Sequence, residues 1–227
     1  MFRDTKLIIF DLDGTLIDSV PDLAAAVNAT LKHLGRELFG SDQIRSWVGN
    51  GAATLIRRAL SASAQIDPNL DPHVADAALE YFLDYYRKHL CDHTLVYEGV
   101  HSTLLQLQKE GFKMGIVTNK PDAFVAPILK TLELEPYFAL SLGADALSRQ
   151  KPDPLPLRHL CEHFDVGVDQ AVMVGDSKND ILAAKAAKMP SIAVSYGYNY
   201  EEPISVHQPD QIIAHFGSLY DLLVRRR

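Results

Sequence analysis

Residues 6–19 read KLIIFDLDGTLIDS, and this stretch decides how the chain is understood. Four apolar residues, 7–10, run directly into two aspartates, Asp11 and Asp13, followed by Gly14. A continuous apolar run of this length reads as a strand buried on both faces, as in the middle of a parallel sheet. Two carboxylates at the end of such a strand repel each other where water is scarce. The rest of the chain has to supply the reason for placing them there.

Working outward, similar runs recur at 114–117 (MGIV), 139–142 (ALSL), 172–174 (VMV) and 192–194 (IAV), with helical patterns between them, as at 100–109 and 181–187. This alternation predicts an α/β fold: a Rossmann-like, doubly wound parallel sheet covered on both faces. Residues 19–97 behave differently, with no convincing strand and several amphipathic helices. Val20, Leu23, Val27, Leu31 and Leu34 share one helical face, as do Leu79, Phe82, Leu83, Tyr86 and Leu90, and both stripes read as core packing. Ser19 is the expected N-cap of the first helix, with Asp22 three residues on, and Gly35 its stop. The expected organisation is an α/β core of residues 1–18 and 98–227, interrupted by an all-helical cap of residues 19–97. No internal repeat or low-complexity segment is present.

The chain has 227 residues, 47% of them hydrophobic and 22% charged, with a net charge of -7 that argues against a nucleic-acid partner. The one concentrated basic run, 225–227, reads as a solvated end. No apolar stretch approaches the roughly 20 residues that span a bilayer, and acidic residues from position 11 interrupt any signal-peptide layout. Cys91 and Cys161 lack CxxC spacing and read as reduced packing residues, and the nine histidines form no metal spacing. A soluble cytoplasmic protein is expected.

In an open α/β sheet, ligands sit beyond the carboxyl ends of the strands where strand order reverses. Four stretches put polar groups at such ends. They are FDLDGT (10–15) with Asp11 and Asp13, GIVTNK (115–120) with Thr118 and Asn119, RQKPDP (149–154) with Lys151, and MVGDSKND (173–180) with Asp176 and Asp180. Each alone has a bland reading as a turn, cap or loop. If the first strand is central, flanked by those ending at Thr118 and Asp176, all four converge on one pocket.

In order and spacing this set resembles the phosphatase branch of the haloacid dehalogenase superfamily, with a helical cap inserted after the first motif. Further stretches, WVGNGA (47–52), TNKP (118–121), VGDSKNDILAAKAA (174–187) and SYGYN (195–199), are similar to bacterial phosphoglycolate phosphatases. The resemblance implies that Asp11 is the nucleophile, forming an aspartyl-phosphate that divides one displacement into two. Asp13 is then the general acid and base, protonating the leaving alkoxide and deprotonating the attacking water. Four carboxylates facing a phosphate dianion require a divalent cation, and hard oxygen ligands favour Mg2+. By resemblance its ligands are the Asp11 carboxylate, the Asp13 backbone carbonyl and the Asp176 carboxylate, with Asp180 orienting water or Lys151 from behind. Thr118 and Lys151 are expected to stabilise the transferring phosphoryl group, helped by backbone N–H groups at Asn119, Leu12 and Gly14.

Asp13 argues against a dehalogenase, which has no alkoxide to protonate. Lys32 and Lys88 lack the context of a Schiff-base lysine and read as solvated. A sugar phosphomutase and a pyrophosphatase share the core chemistry and stay open, whereas a phospho-accepting switch conflicts with an acid/base two residues from the nucleophile. The cap is expected to act as a lid hinged near residues 18–20 and 97–99, with Gly49, Asn50 and Gly51 approaching the substrate. Arg45, Arg57 and Arg58 are its candidates for meeting a substrate carboxylate. The resemblance thus implies a monomer or homodimer that hydrolyses a small phosphorylated metabolite, 2-phosphoglycolate.

Overall fold

Every residue of the first strand, β1 (Leu7–Phe10), is fully buried in the structure, a computed structural model that describes residues 2–200 and 202–224. The arginine run 225–227 lies outside the described residues. After β1 come β2 (Ile17–Asp18), four helices α1 (Val20–His33), α2 (Ser41–Arg45), α3 (Ala52–Leu60) and α4 (Pro72–Lys88), and β3 (Leu95–Val96). Helices and strands then alternate: α5 (Val100–Lys109), β4 (Lys113–Val117), α6 (Asp122–Thr131), β5 (Leu140–Leu142), α7 (Leu155–Phe164), β6 (Ala171–Gly175) and α8 (Lys178–Ala187). The chain closes with β7 (Ser191–Val194), β8 (Gln211–Ile213) and α9 (Ser218–Leu223).

Six strands form one parallel sheet in the order β5-β4-β1-β6-β7-β8. The fold is the expected doubly wound α/β arrangement, and the strand order reverses beside β1, where such sheets bind ligands. Alternate side chains of β1 serve opposite faces. Ile8 and Phe10 join a cluster with Val100 and Leu104 of α5 and Leu219 of α9, while Leu7 and Ile9 pack against Leu157 and Leu160 of α7 and Ala183 of α8. Phe10 lies opposite Ile116 of β4 and Val174 of β6, so the carboxyl ends of three adjacent strands are level. Cys161 is buried in the second cluster and Cys91 is half-buried, both as free thiols. Among the described residues no helix is long and apolar enough to cross a membrane.

The helical segment leaves and re-enters the sheet through a short antiparallel ribbon, with Ile17 of β2 opposite Val96 of β3. No strand is expected there from the sequence, because two residues leave no alternating pattern to detect. The start of α1 also departs from expectation. The Ser19 side chain does not cap the helix; its hydroxyl donates to Asp13 instead. Asp22, the expected capping partner, accepts the backbone N–H groups of His93 and Thr94 and the Thr94 hydroxyl, at 2.6 to 3.0 Å. Gly35 does follow the helix end, at φ +64°.

Asp22 thereby clamps the returning chain onto the outgoing helix. Replacing it with Ala removes the acceptor of the buried Thr94 N–H and the part-buried His93 N–H, while the Thr94 hydroxyl keeps the Leu90 carbonyl at 3.3 Å, so Asp22→Ala is expected to lower the unfolding free energy by about 2 kcal/mol. Urea denaturation measures this, and an unchanged midpoint would contradict the clamp.

Candidate active site

Asp11 follows the last residue of β1, and its backbone N–H donates to the Val174 carbonyl at 2.9 Å, continuing the ladder toward β6. Its carboxylate is nearly buried. Oδ1 accepts the Leu12 N–H at 2.7 Å and lies 2.9 Å from the Lys151 ammonium. The Lys151 side chain is 1% exposed, and its ammonium also reaches Asp180 Oδ1, at 2.6 Å. The other oxygen of Asp180 accepts the backbone N–H and the hydroxyl of Ser177, at 3.0 and 2.8 Å, in a capping box that starts α8. Asp176 follows β6; its oxygens accept the Thr15 hydroxyl at 2.9 Å and the Tyr198 N–H at 2.6 Å.

Oxygens of Asp11, Asp176 and Asp180 come within 4.8 Å of one another. So close a set depends on missing side chains: a Cβ at Gly14, which sits at φ +87°, would fall 2.3 Å from Asp176 Oδ2. At Gly197 a Cβ would fall 2.2 Å from Asp176 Cβ. Burial raises the Asp11 carboxyl to about 7, with Lys151 pulling it down and Asp180 and Asp13 pushing it up. Asp176 is raised well above the ordinary carboxylate range, by burial first and then by Asp11 and Asp180. Burial works against the charge on Lys151, yet Asp11 and Asp180 hold its pKa above that of a free lysine. One ammonium, paired with two of the three buried carboxylates, is thus the only cation among the described residues in these contacts. The all-oxygen donors and the surplus negative charge suit a hard divalent cation.

Asp13, half-buried, is held from the side. Its Oδ1 accepts the Ser19 hydroxyl, and the Lys120 ammonium lies 2.9 and 3.2 Å from its two oxygens. Burial works against a charged Lys120, but Asp13 and Tyr86 together outweigh it and its pKa is raised. Thr118, at the end of β4, is buried, and its hydroxyl accepts the Lys120 N–H at 3.2 Å. The Asn119 side chain donates to the Lys151 carbonyl at 3.0 Å and to the Gly49 carbonyl of the helical segment at 3.1 Å. Gly49 also accepts the Asn179 side chain, at 3.0 Å. Two of the backbone donors expected to meet a phosphate are engaged locally: Leu12 N–H with Asp11, and Gly14 N–H with the Ile17 carbonyl at 2.8 Å.

A cavity of about 50 Å3 opens over Asp11 and Asp13, bounded by Thr118, Asn119, Gly49 and Gly51. Asn50 does not line it. Nor do the arginines of the helical segment. Arg45 pairs with Asp18 at 3.0 Å, Arg58 donates to the carbonyls of Trp47 and Ala64, and Arg57 is exposed. Lys32 and Lys88 are exposed on outer helix surfaces. Sequence reasoning passes over Lys120, Thr15 and Tyr198. Lys120 stands inside the quoted TNKP and Tyr198 inside SYGYN, but neither spacing nor periodicity says that they reach Asp13 and Asp176.

A bound divalent ion would relieve the repulsion among the carboxylates, so Mg2+ at 100-fold over its dissociation constant is expected to stabilise the protein by about 2.7 kcal/mol. Thermal denaturation reads this as a raised Tm that Asp176→Asn abolishes; a midpoint indifferent to Mg2+ would count against the site.

A family model for haloacid dehalogenase-like hydrolases matches residues 8–194. A phosphoglycolate phosphatase from Colwellia psychrerythraea is 47% identical over 98% of this chain and 99% of its own length. Another from Psychrobacter arcticus is 45% identical over 98% of this chain and 97% of its own. The crystal structure of a predicted phosphoglycolate phosphatase from Haemophilus somnus superposes with a TM-score of 0.91, at 36% identity and with both chains fully covered. A parallel sheet of this order, with aspartates closing its two central strands and relatives matching from end to end, places the chain in the haloacid dehalogenase-like hydrolase family.

Proposed function

We propose that this hydrolase is a Mg2+-dependent phosphomonoesterase that converts 2-phosphoglycolate to glycolate and phosphate. The observation that carries the reading is the pairing of Asp11, held by Lys151, with Asp13, held by Lys120 and Ser19, on one wall of a small cavity. The names of its end-to-end relatives support the substrate.

In the first half-reaction an Asp11 oxygen attacks phosphorus while the ester P–O bond breaks. The departing glycolate oxygen takes the proton of Asp13. In the second, water attacks the phosphorus of the aspartyl-phosphate, gives a proton to the Asp13 carboxylate and releases phosphate from Asp11. The Asp11 and Asp176 carboxylates and the Asp13 backbone carbonyl would hold Mg2+, which supplies positive charge against the incoming phosphate dianion. Lys151 aligns Asp11 and adds charge on the same side, while Asp180 and Ser177 hold Lys151 in place. Thr118 contributes its hydroxyl and Asn119 its backbone N–H to the phosphoryl oxygens, and the N–H groups of Leu12 and Gly14 become available where substrate displaces their local partners. Residues 19–97 form the lid, hinged at the β2–β3 ribbon, with the loop at Gly49, Asn50 and Gly51 closing over the substrate and excluding water from the acyl phosphate. The Asp13 acid distinguishes this chemistry from a dehalogenase and from a long-lived phospho-switch.

Asp11→Asn is expected to abolish turnover in a protein that remains folded, and substantial residual activity would remove its role as nucleophile. Asp13→Asn is expected to slow turnover by a factor of roughly 100 to 10,000; an unchanged rate removes the acid/base. Phosphate release with Mg2+, compared across 2-phosphoglycolate, glucose 1-phosphate, pyrophosphate and a nucleoside monophosphate, tests the substrate. The highest kcat/KM is expected for 2-phosphoglycolate, with loss of activity on chelation by EDTA. Preference for a sugar phosphate or for pyrophosphate would replace the substrate while keeping the mechanism.

A further inference from the structure

A substrate that carries a carboxylate as well as a phosphate needs a second positive group, and the cavity offers few. The charged residues on its wall are Asp11, Asp13 and Lys120, among apolar neighbours such as Leu23, Val48, Phe82 and Phe124. Lys151 lies behind Asp11, with Asp11 and Asp180 as its partners. Arg45 and Arg58 are bound elsewhere, and Arg57 is in solvent. Among the described residues, Lys120 is therefore the one cation lining the cavity.

Its position is specific. The Lys120 side chain is 2% exposed, and its ammonium lies 4.9 Å from the centroid of the Tyr86 ring, on α4 of the helical segment. Its neighbours there are the two Asp13 oxygens and the Tyr86 side chain, so a carboxylate entering the cavity would share the ammonium's three donors with them. Helix α3 begins against the same wall with no side chain capping its free N–H groups, its positive end at Gly51 and Ala52. A Cβ at Gly51 would come within 3.3 Å of the Asn119 carbonyl, the residue before Lys120.

We infer that Lys120 receives the substrate's carboxylate, with the uncapped start of α3 closing over the same group. Preference for an acidic phosphate ester is then set from the α/β core and not by an arginine of the helical segment. The inference rests on the reading of the chain as a 2-phosphoglycolate phosphatase and assigns the carboxylate subsite within it. The substrate's own geometry supports it. In 2-phosphoglycolate a single methylene separates the ester oxygen from the carboxylate, and in the protein the group that protonates that oxygen, Asp13, is 2.9 Å from the Lys120 ammonium. Acid and cation stand side by side, as ester oxygen and carboxylate do in the substrate.

The test compares kcat/KM for 2-phosphoglycolate and for ethyl phosphate, which keeps the carbon chain but lacks the charge, in wild type, Lys120→Met and Lys120→Arg. Thermal denaturation checks that each variant is folded, and Lys120→Gln replaces the methionine variant if that one is not. Because Lys120 also holds Asp13, both esters are expected to slow in Lys120→Met. The signature is the ratio between them, which should fall by about 30-fold, or roughly 2 kcal/mol, the scale of a lost desolvated charge pair. Lys120→Arg should recover part of that ratio. An equal loss for both esters would overturn the inference, leaving Lys120 as a positioning residue for Asp13 alone. A wild-type enzyme that does not prefer 2-phosphoglycolate over ethyl phosphate would overturn the substrate assignment and the subsite together.

Discussion

The Lys151 ammonium, buried between Asp11 and Asp180, is the contact on which the rest of this site depends. Three carboxylates converge where the central strands end, and each is there at an electrostatic penalty that water cannot relieve. One lysine offsets part of it, and backbone and hydroxyl donors offset more: Leu12 N–H on Asp11, Thr15 and Tyr198 on Asp176, Ser177 on Asp180. Burial and mutual repulsion still push the Asp11 and Asp176 carboxyls up, and such a set of oxygens suits a divalent ion.

Such crowding is possible only where backbone replaces side chain. Gly14 and Gly197 pack against the Asp176 carboxylate, and Gly175 lies so close to Asp180 that a Cβ there would fall 2.3 Å from its carboxyl carbon. The glycines thus determine how close the acids come, and the parallel register of β1, β4 and β6 determines that they are level. A second, smaller set of contacts couples this site to the helical segment. Two core amides, on Asn119 and Asn179, donate to the single carbonyl of Gly49, so lifting that loop breaks both bonds at once. Asn119 also donates to the Lys151 carbonyl, which ties the position of the loop to the lysine under the nucleophile.

Much of the fold was legible because buried parallel strands write themselves as unbroken apolar runs: those at 7–10, 114–117, 172–174 and 192–194 fall in the sheet, and so does 139–142 except for Ala139. The ribbon of Ile17 and Asp18 with Leu95 and Val96 was not legible, since two-residue strands have no period. Nor was the edge strand at Gln211–Ile213, half exposed and only three residues long. Ser19 and Asp22 mimic a helix cap by spacing, but each has another partner, Ser19 in Asp13 six residues back and Asp22 across the fold in the backbone at residues 93 and 94.

By itself the sequence determined the sheet, the helical insertion and the polar residues at the strand ends, because each depends on local pattern and on the order of elements along the chain. Only the tertiary structure decided who neutralises whom. It put Lys120 on Asp13, Thr15 and Tyr198 on Asp176, and the arginines of the helical segment outside the cavity they were expected to serve. These pairings join residues as far as 161 positions apart. Long, flexible cationic side chains choose partners by burial and charge in three dimensions, and no spacing along the chain records that choice.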